Sequence, residues 1–134
     1  MILYVAGPMR GKPFFNFEAF DRAAKQLRTQ GHTVISPADL DRAVGFDALT
    51  HPHPGCKIGD LPLNVLQENR CSPEECMDRD LAAVKRCDGL VLLDGWDRST
   101  GAVWEVATAK FLSKRLFVFI DRSQLEDVTE DIRL

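Results

Sequence analysis

The 134-residue chain lacks any apolar run approaching the roughly 18 residues that a membrane-spanning helix requires. Its first apolar stretch, Ile2 to Ala6, is too short for the core of a secretion signal and runs straight into Gly7-Pro8. Both absences predict a cytoplasmic protein. Positive charge is scarce as well. With 17 Lys and Arg against 20 Asp and Glu, the net charge is −3 and the isoelectric point is near 5.6. That balance argues against a nucleic-acid polymer or an anionic membrane as partner. It leaves room for a small phosphorylated ligand, which needs only one or two local cations. Neither a Walker loop nor a GxGxxG fingerprint occurs, so no triphosphate cradle or dinucleotide fold is indicated. Repeats, low-complexity tracts and linkers are missing too, and one domain spanning 1–134 is expected.

CxxC is absent, and the four cysteines (Cys56, Cys71, Cys76, Cys87) read as free thiols in a chain without a secretory signal. His51, His53, Cys56, Cys71 and Cys76 can be drawn as a zinc site, but their spacing matches no common zinc pattern. The sequence therefore calls for no metal and no cofactor.

What is present is an alternation of apolar strands and amphipathic helices. Ile2 to Ala6 reads as a central strand. Phe14 to Gln30 carries Phe17, Phe20, Ala23, Ala24 and Leu27 on one helical stripe, with Asn16 as N-cap and Gly31 as the stop. Thr33 to Ile35 is a short second strand closed by Ser36-Pro37. Periodicity fails from 38 to 70, where prolines and glycines recur, and this insertion reads as a partly mobile cover over a site. Ser72-Pro73-Glu74-Glu75 is a strong helix start, with a capping Ser, Pro at the first helical position and Glu three residues after the cap. The helix runs to about Arg86, followed by a strand at 89–93, a helix at 100–113 and a strand at 116–120. Residues 123–134 fit either a terminal helix or a short edge strand. The pattern predicts a flavodoxin-like or Rossmann-like α/β domain, with a doubly wound parallel sheet of about five strands.

In such sheets the ligand crevice lies beyond the carboxyl ends of the strands. The first such turn offers Gly7, Arg10 and Lys12: backbone N–H groups that a ligand can approach, and two cations. Around the 89–93 strand lie Asp80, Asp88, Asp94, Asp97 and Glu105. Asp88 reads as a turn residue and Asp97 as solvated. Glu105 stands apart, because Val103-Trp104-Glu105-Val106-Ala107 is otherwise apolar and close to a helix start. There a carboxylate is partly desolvated yet favoured by the helix dipole.

The segments LYVAGPMRG and MDRDLAAVKRCDGLVLLDGWDRSTGAVWEVATAKFLSKRLFVF together resemble the nucleoside 2-deoxyribosyltransferase-like family. That family includes nucleoside 5′-monophosphate N-glycosidases. The resemblance implies that Glu105 is the nucleophile, that Asp80 lies near the base and the scissile bond, and that Tyr4 positions Glu105. A tyrosine filling the sheet core is the plainer reading of Tyr4. The resemblance further assigns Arg10 and Ser99 to a 5′-phosphate, with Gly7 and Gly101 beside the substrate. Ser99 stands where nucleoside transferases tend to carry an acid, which tilts the reading toward nucleotides. Pro8 stands where the hydrolases have another phosphate-binding serine. The expected chemistry is cleavage of a base–sugar bond, with Glu105 ionised at its helix start and Asp80 raised by burial. Base transfer and a nucleotide sensor without catalysis are the alternatives. Trp96, Trp104, Phe111 and Leu112 suggest a homo-oligomer, though a core role fits them equally.

Overall fold

The computed structural model of the protein describes residues 1–49 and 72–133. Five strands form one sheet in the order β2-β1-β3-β4-β5. The first four are β1 (Ile2–Ala6), β2 (Thr33–Ile35), β3 (Gly89–Leu92) and β4 (Arg115–Phe119), and they pair in parallel. The last, β5 (Leu125–Asp127), pairs antiparallel with β4. The sheet is the expected parallel one of five strands, and 123–134 supplies a short edge strand that runs antiparallel. After Phe119 the chain turns back within a few residues, and Asp121 accepts from the Ser123 and Gln124 N–H groups in that turn. A parallel return needs a crossover of a dozen residues or more, and only residues 120–124 separate β4 from β5.

Among the described residues the α-helices are α1 (Phe17–Thr29), α2 (Pro37–Ala43), α3 (Pro73–Arg86) and α4 (Thr100–Phe111). Leu3, Tyr4, Val5 and Ala6 of β1 are all fully buried, as in a strand covered on both faces. Because side chains alternate along a strand, Leu3 and Val5 pack into the α1 layer, with Phe17, Phe20, Leu27 and Val91. Tyr4 and Ala6 enter the opposite layer with Val84 of α3, Leu90 and Val106 of α4. That parity sends Tyr4 to the face where α3 and α4 lie.

Some boundaries differ from the sequence reading. Helix α1 begins at Phe17, preceded by a turn in which Phe14, Phe15 and Asn16 take φ of 51°, 53° and 61°. Asn16 stands at the N-cap position of α1 but makes no side-chain capping bond; its Nδ2 donates to the Pro8 carbonyl at 3.0 Å and ties down the first loop. Gly31, with φ of 92°, ends α1 as expected. The insertion is not irregular from its start: Pro37 opens α2, and Phe46 and Ala48 are buried in the α1 layer. Residues 50–70 of it lie outside the described residues, as do His51, His53, Cys56 and Cys71.

Helix α3 starts as its sequence demands, with Ser72 Oγ accepting from the Glu75 N–H at 3.1 Å. Cys76 is disulfide-bonded, against the expectation of free thiols, whereas Cys87 is free and buried. Among the described residues no helix is long and apolar enough to cross a membrane. Trp104 and Phe111 are exposed on α4, while Trp96 packs against the core.

Candidate active site

Three chain segments converge beyond the carboxyl ends of β1 and β3. Strand β3 ends at Leu92, Gly95 turns the chain with φ of 83°, and a short 3-10 turn, Trp96–Arg98, leads to Ser99. Ser99 caps α4, its Oγ accepting from the Ala102 N–H at 3.3 Å. This start brings Glu105 round to the sheet side of α4, where it is only 7% exposed. The chain's single tyrosine, Tyr4, meets it there: the phenol donates a hydrogen bond to Glu105 Oε2. Asp80 comes from α3, with its carboxylate bound by Arg79 Nε at 2.9 Å.

Glu105, Asp80, Gly7, Arg10, Ser99 and Gly101 all line one cavity of about 410 Å³. That volume falls in the range of small-molecule sites. Pro8, Pro37, Met77, Leu81 and Arg98 complete much of its wall. Tyr4 is not on the wall; it stands behind Glu105. Lys12 is directed elsewhere, to a more open groove on the α1 side together with Arg22, Asp94 and Arg122.

The electrostatics invert one expectation. Burial pushes the Glu105 carboxyl from its ordinary 4.5 up to about 8, and the Asp80 charge adds to that rise. The Tyr4 hydrogen bond and the Arg79 charge oppose it without cancelling it. Desolvation therefore outweighs the helix start, and Glu105 is not the ionised member of the pair at neutral pH. Tyr4 is also pushed well above its ordinary value, first by burial and then by the Glu105 and Asp80 charges. Its phenol stays protonated and remains a donor. Asp80 sits in an ion pair with Arg79, with its side chain 16% exposed.

Gly7 is required by packing: a Cβ there would lie 2.8 Å from the Leu93 Cβ. At Gly101 a Cβ would meet nothing within 4 Å. Asp88 serves the turn into β3, accepting from the Ile2 N–H at 2.7 Å. Asp97 is exposed. Among the described residues no cluster of three His, Cys, Asp or Glu side chains is arranged to hold a metal ion.

A family model described as "Domain of unknown function (DUF4406)" matches residues 1–118. The chain belongs to the DUF4406 family. This DUF4406 chain matches none of the curated proteins. Among solved structures it is similar to the 2-deoxyribosyltransferase of the psychrotolerant bacterium Bacillus psychrosaccharolyticus. The two are 24% identical with a TM-score of 0.53, over 89% of this chain and 72% of the other. The likeness establishes for the DUF4406 chain the flavodoxin-like α/β fold that its sequence pattern predicts.

Sequence reasoning missed three side chains of the DUF4406 site. Arg98 lines the cavity, but in the sequence it is one more charge in a polar turn. Arg79 and Asp41 are joined at 3.0 Å behind Asp80. The two lie 38 positions apart, and no local pattern links them. Asp41 is wholly buried, yet it stands in a stretch whose periodicity had broken down.

Proposed function

We propose that the protein is an N-glycosidase that hydrolyses the base–sugar bond of a nucleoside or 2′-deoxynucleoside 5′-monophosphate. The observation that carries this reading is a buried carboxyl, Glu105, held by the Tyr4 phenol at the wall of a cavity that Asp80 also lines. Cleaving an N-glycosidic bond develops oxocarbenium character at C1′, and a buried, oriented carboxylate is suited to meet it.

In the first step an ionised Glu105 oxygen forms a bond to C1′ as the C1′–N bond breaks. The electron pair leaves with the base, which takes its proton from a water molecule held by the Asp80 carboxylate. Tyr4 holds the other Glu105 oxygen, so the carboxylate presents one orientation. The hydroxide left by that proton transfer then attacks C1′, Glu105 departs as carboxylate, and the sugar 5-phosphate is released. Because the attacking form is the ionised one, base release is expected to rise with pH up to about 8.

The phosphate is assigned to Arg10, Arg98 and Ser99. Both arginines line the cavity, and neither makes an ion pair among the described residues. Ser99 uses a lone pair as helix cap and keeps its O–H to donate. A serine there accommodates a dianion that an acid would repel.

The fold shared with a 2-deoxyribosyltransferase favours a second reading, transfer of the sugar to another base. One experiment separates the readings: a panel of nucleosides and their 5′-monophosphates, with and without a competing free base, followed by chromatography. Hydrolysis predicts free base from monophosphates, abolished in Glu105→Ala. A new nucleoside formed only with the competing base supports transfer instead. Saturable nucleotide binding without cleavage reduces the protein to a sensor.

A further inference from the structure

Behind Asp80 lies a pair of contacts that the reaction above does not use. Arg79 donates through Nε to Asp80 Oδ1 at 2.9 Å and through Nη1 to Asp41 Oδ1 at 3.0 Å. Consecutive side chains on a helix point about 100° apart and do not ordinarily meet. Arg79 and Asp80 meet because something off the helix draws the guanidinium back. That partner is Asp41 of α2, with no exposed surface. A carboxylate so completely removed from water is costly to leave unpaired, so its hold on Arg79 is strong. A guanidinium is also a rigid fork, and bonding each end to a different acid fixes its plane. The contact binds α3 to the helix that begins at Pro37, itself on the cavity wall.

We propose that Arg79 is a positioning residue: anchored by Asp41, its guanidinium fixes the Asp80 carboxylate at the cavity wall opposite Glu105. The catalytic consequence rests on the N-glycosidase reading; the geometry does not. Among the described residues, the groups facing this assembly are Tyr4 from β1, Glu105 from α4, Asp41 from α2, and Arg79 and Asp80 from α3. The Arg79 charge draws both Glu105 and Tyr4 toward lower values, against Asp80.

The test uses Arg79→Lys, Arg79→Gln and Asp41→Asn in the full chain. Lysine keeps the charge but lacks the fork. Steady-state kinetics on the best monophosphate of the panel should show kcat reduced on the order of tenfold or more in Arg79→Lys and Asp41→Asn. KM should stay within about threefold, since the phosphate-binding arginines are untouched. Independently of turnover, NMR titration of carboxyl-labelled glutamate should place the Glu105 midpoint higher in Arg79→Gln than in the wild type, and unchanged in Arg79→Lys. Wild-type kcat in Arg79→Lys or Asp41→Asn overturns the proposal, as does a Glu105 midpoint unmoved in Arg79→Gln. If the wild-type chain releases no base, the reaction reading fails by itself, and the titration still decides whether Arg79 acts on Glu105.

Discussion

Replacing Glu105 by Gln should stabilise the protein, by an amount that depends on pH. The carboxyl's ordinary value is 4.5, and burial pushes it up to about 8. Between those values the unfolded chain has released this proton while the native chain still holds it. The folded state therefore loses stability as the pH climbs from 4.5, and the loss levels off above about 8. At about 1.4 kcal/mol per pH unit, the cost is about 1 kcal/mol at pH 5, about 3 at pH 7 and about 5 at pH 9. Gln has the same shape, carries no charge and retains a carbonyl that accepts from the Tyr4 phenol. The substitution thus removes the cost without opening a cavity or stranding a donor. In a chain of this size 1 kcal/mol moves Tm by about 3–4 °C. Glu105→Gln should therefore melt about 10 °C above wild type at pH 7 and only about 3 °C above it at pH 5. Thermal unfolding followed by circular dichroism at both pH values makes the comparison. An equal difference at the two pH values, or a variant that melts below wild type at pH 7, would refute the reasoning. Either result would mean that the native contacts of the carboxyl outweigh its desolvation.

Tyr4→Phe removes the hydrogen bond that restrains Glu105, so the pH–rate profile for base release should move upward. At about 1.5–3 kcal/mol for a bond to a charged group, the move is about one to two pH units, and activity at pH 7 falls about 10- to 100-fold. An unmoved midpoint contradicts the assigned role of the phenol. Arg10→Ala and Arg98→Ala should each raise KM for a monophosphate about tenfold or more and leave turnover of the matching nucleoside unchanged. Parallel kinetics on the two substrates measure this, and equal losses on both argue against a phosphate contact. Gly7→Ala sets a Cβ 2.8 Å from the Leu93 Cβ. It should cost about 1–3 kcal/mol in denaturant unfolding, and the double variant with Leu93→Gly, which removes the opposing Cβ, should lose less than the sum of the two single costs.

The parts of this fold that were legible in the sequence are those governed by neighbours in the chain. The apolar runs at β1, β3 and β4 announce strands buried on both faces, and Ser72, Pro73 and Glu75 announce the start of α3. What stayed hidden depends on distant partners or on backbone geometry. The direction of β5 is set by a turn after Phe119, and short polar segments carry little periodicity. Asn16 looks like a cap because caps are common roles for Asn, but three residues in left-handed conformation precede α1 and turn its side chain to Pro8. Glu105 is conspicuous in an apolar context, whereas its contact with Tyr4 spans 101 positions and requires the sheet to exist. The direction of its pKa was misjudged because the helix start is visible in sequence and the depth of burial is not. Arg79 and Asp41 look like ordinary surface charges until α2 and α3 are packed together.

The sheet's two margins are closed in different ways, and this limits how copies of the protein can meet. On one side β2 is three residues long, and the Arg28 guanidinium already occupies the Val34 carbonyl at 3.1 Å. On the other side the reversed strand β5 ends in Glu126 and Asp127, with Arg115 bound to Asp127. A strand arriving at either margin would find a blocked acceptor or a row of acids, which is how natural sheets resist fibril-like growth. Any self-assembly is thereby diverted from the strands to the helical flanks, where Trp104 and Phe111 already stand in solvent.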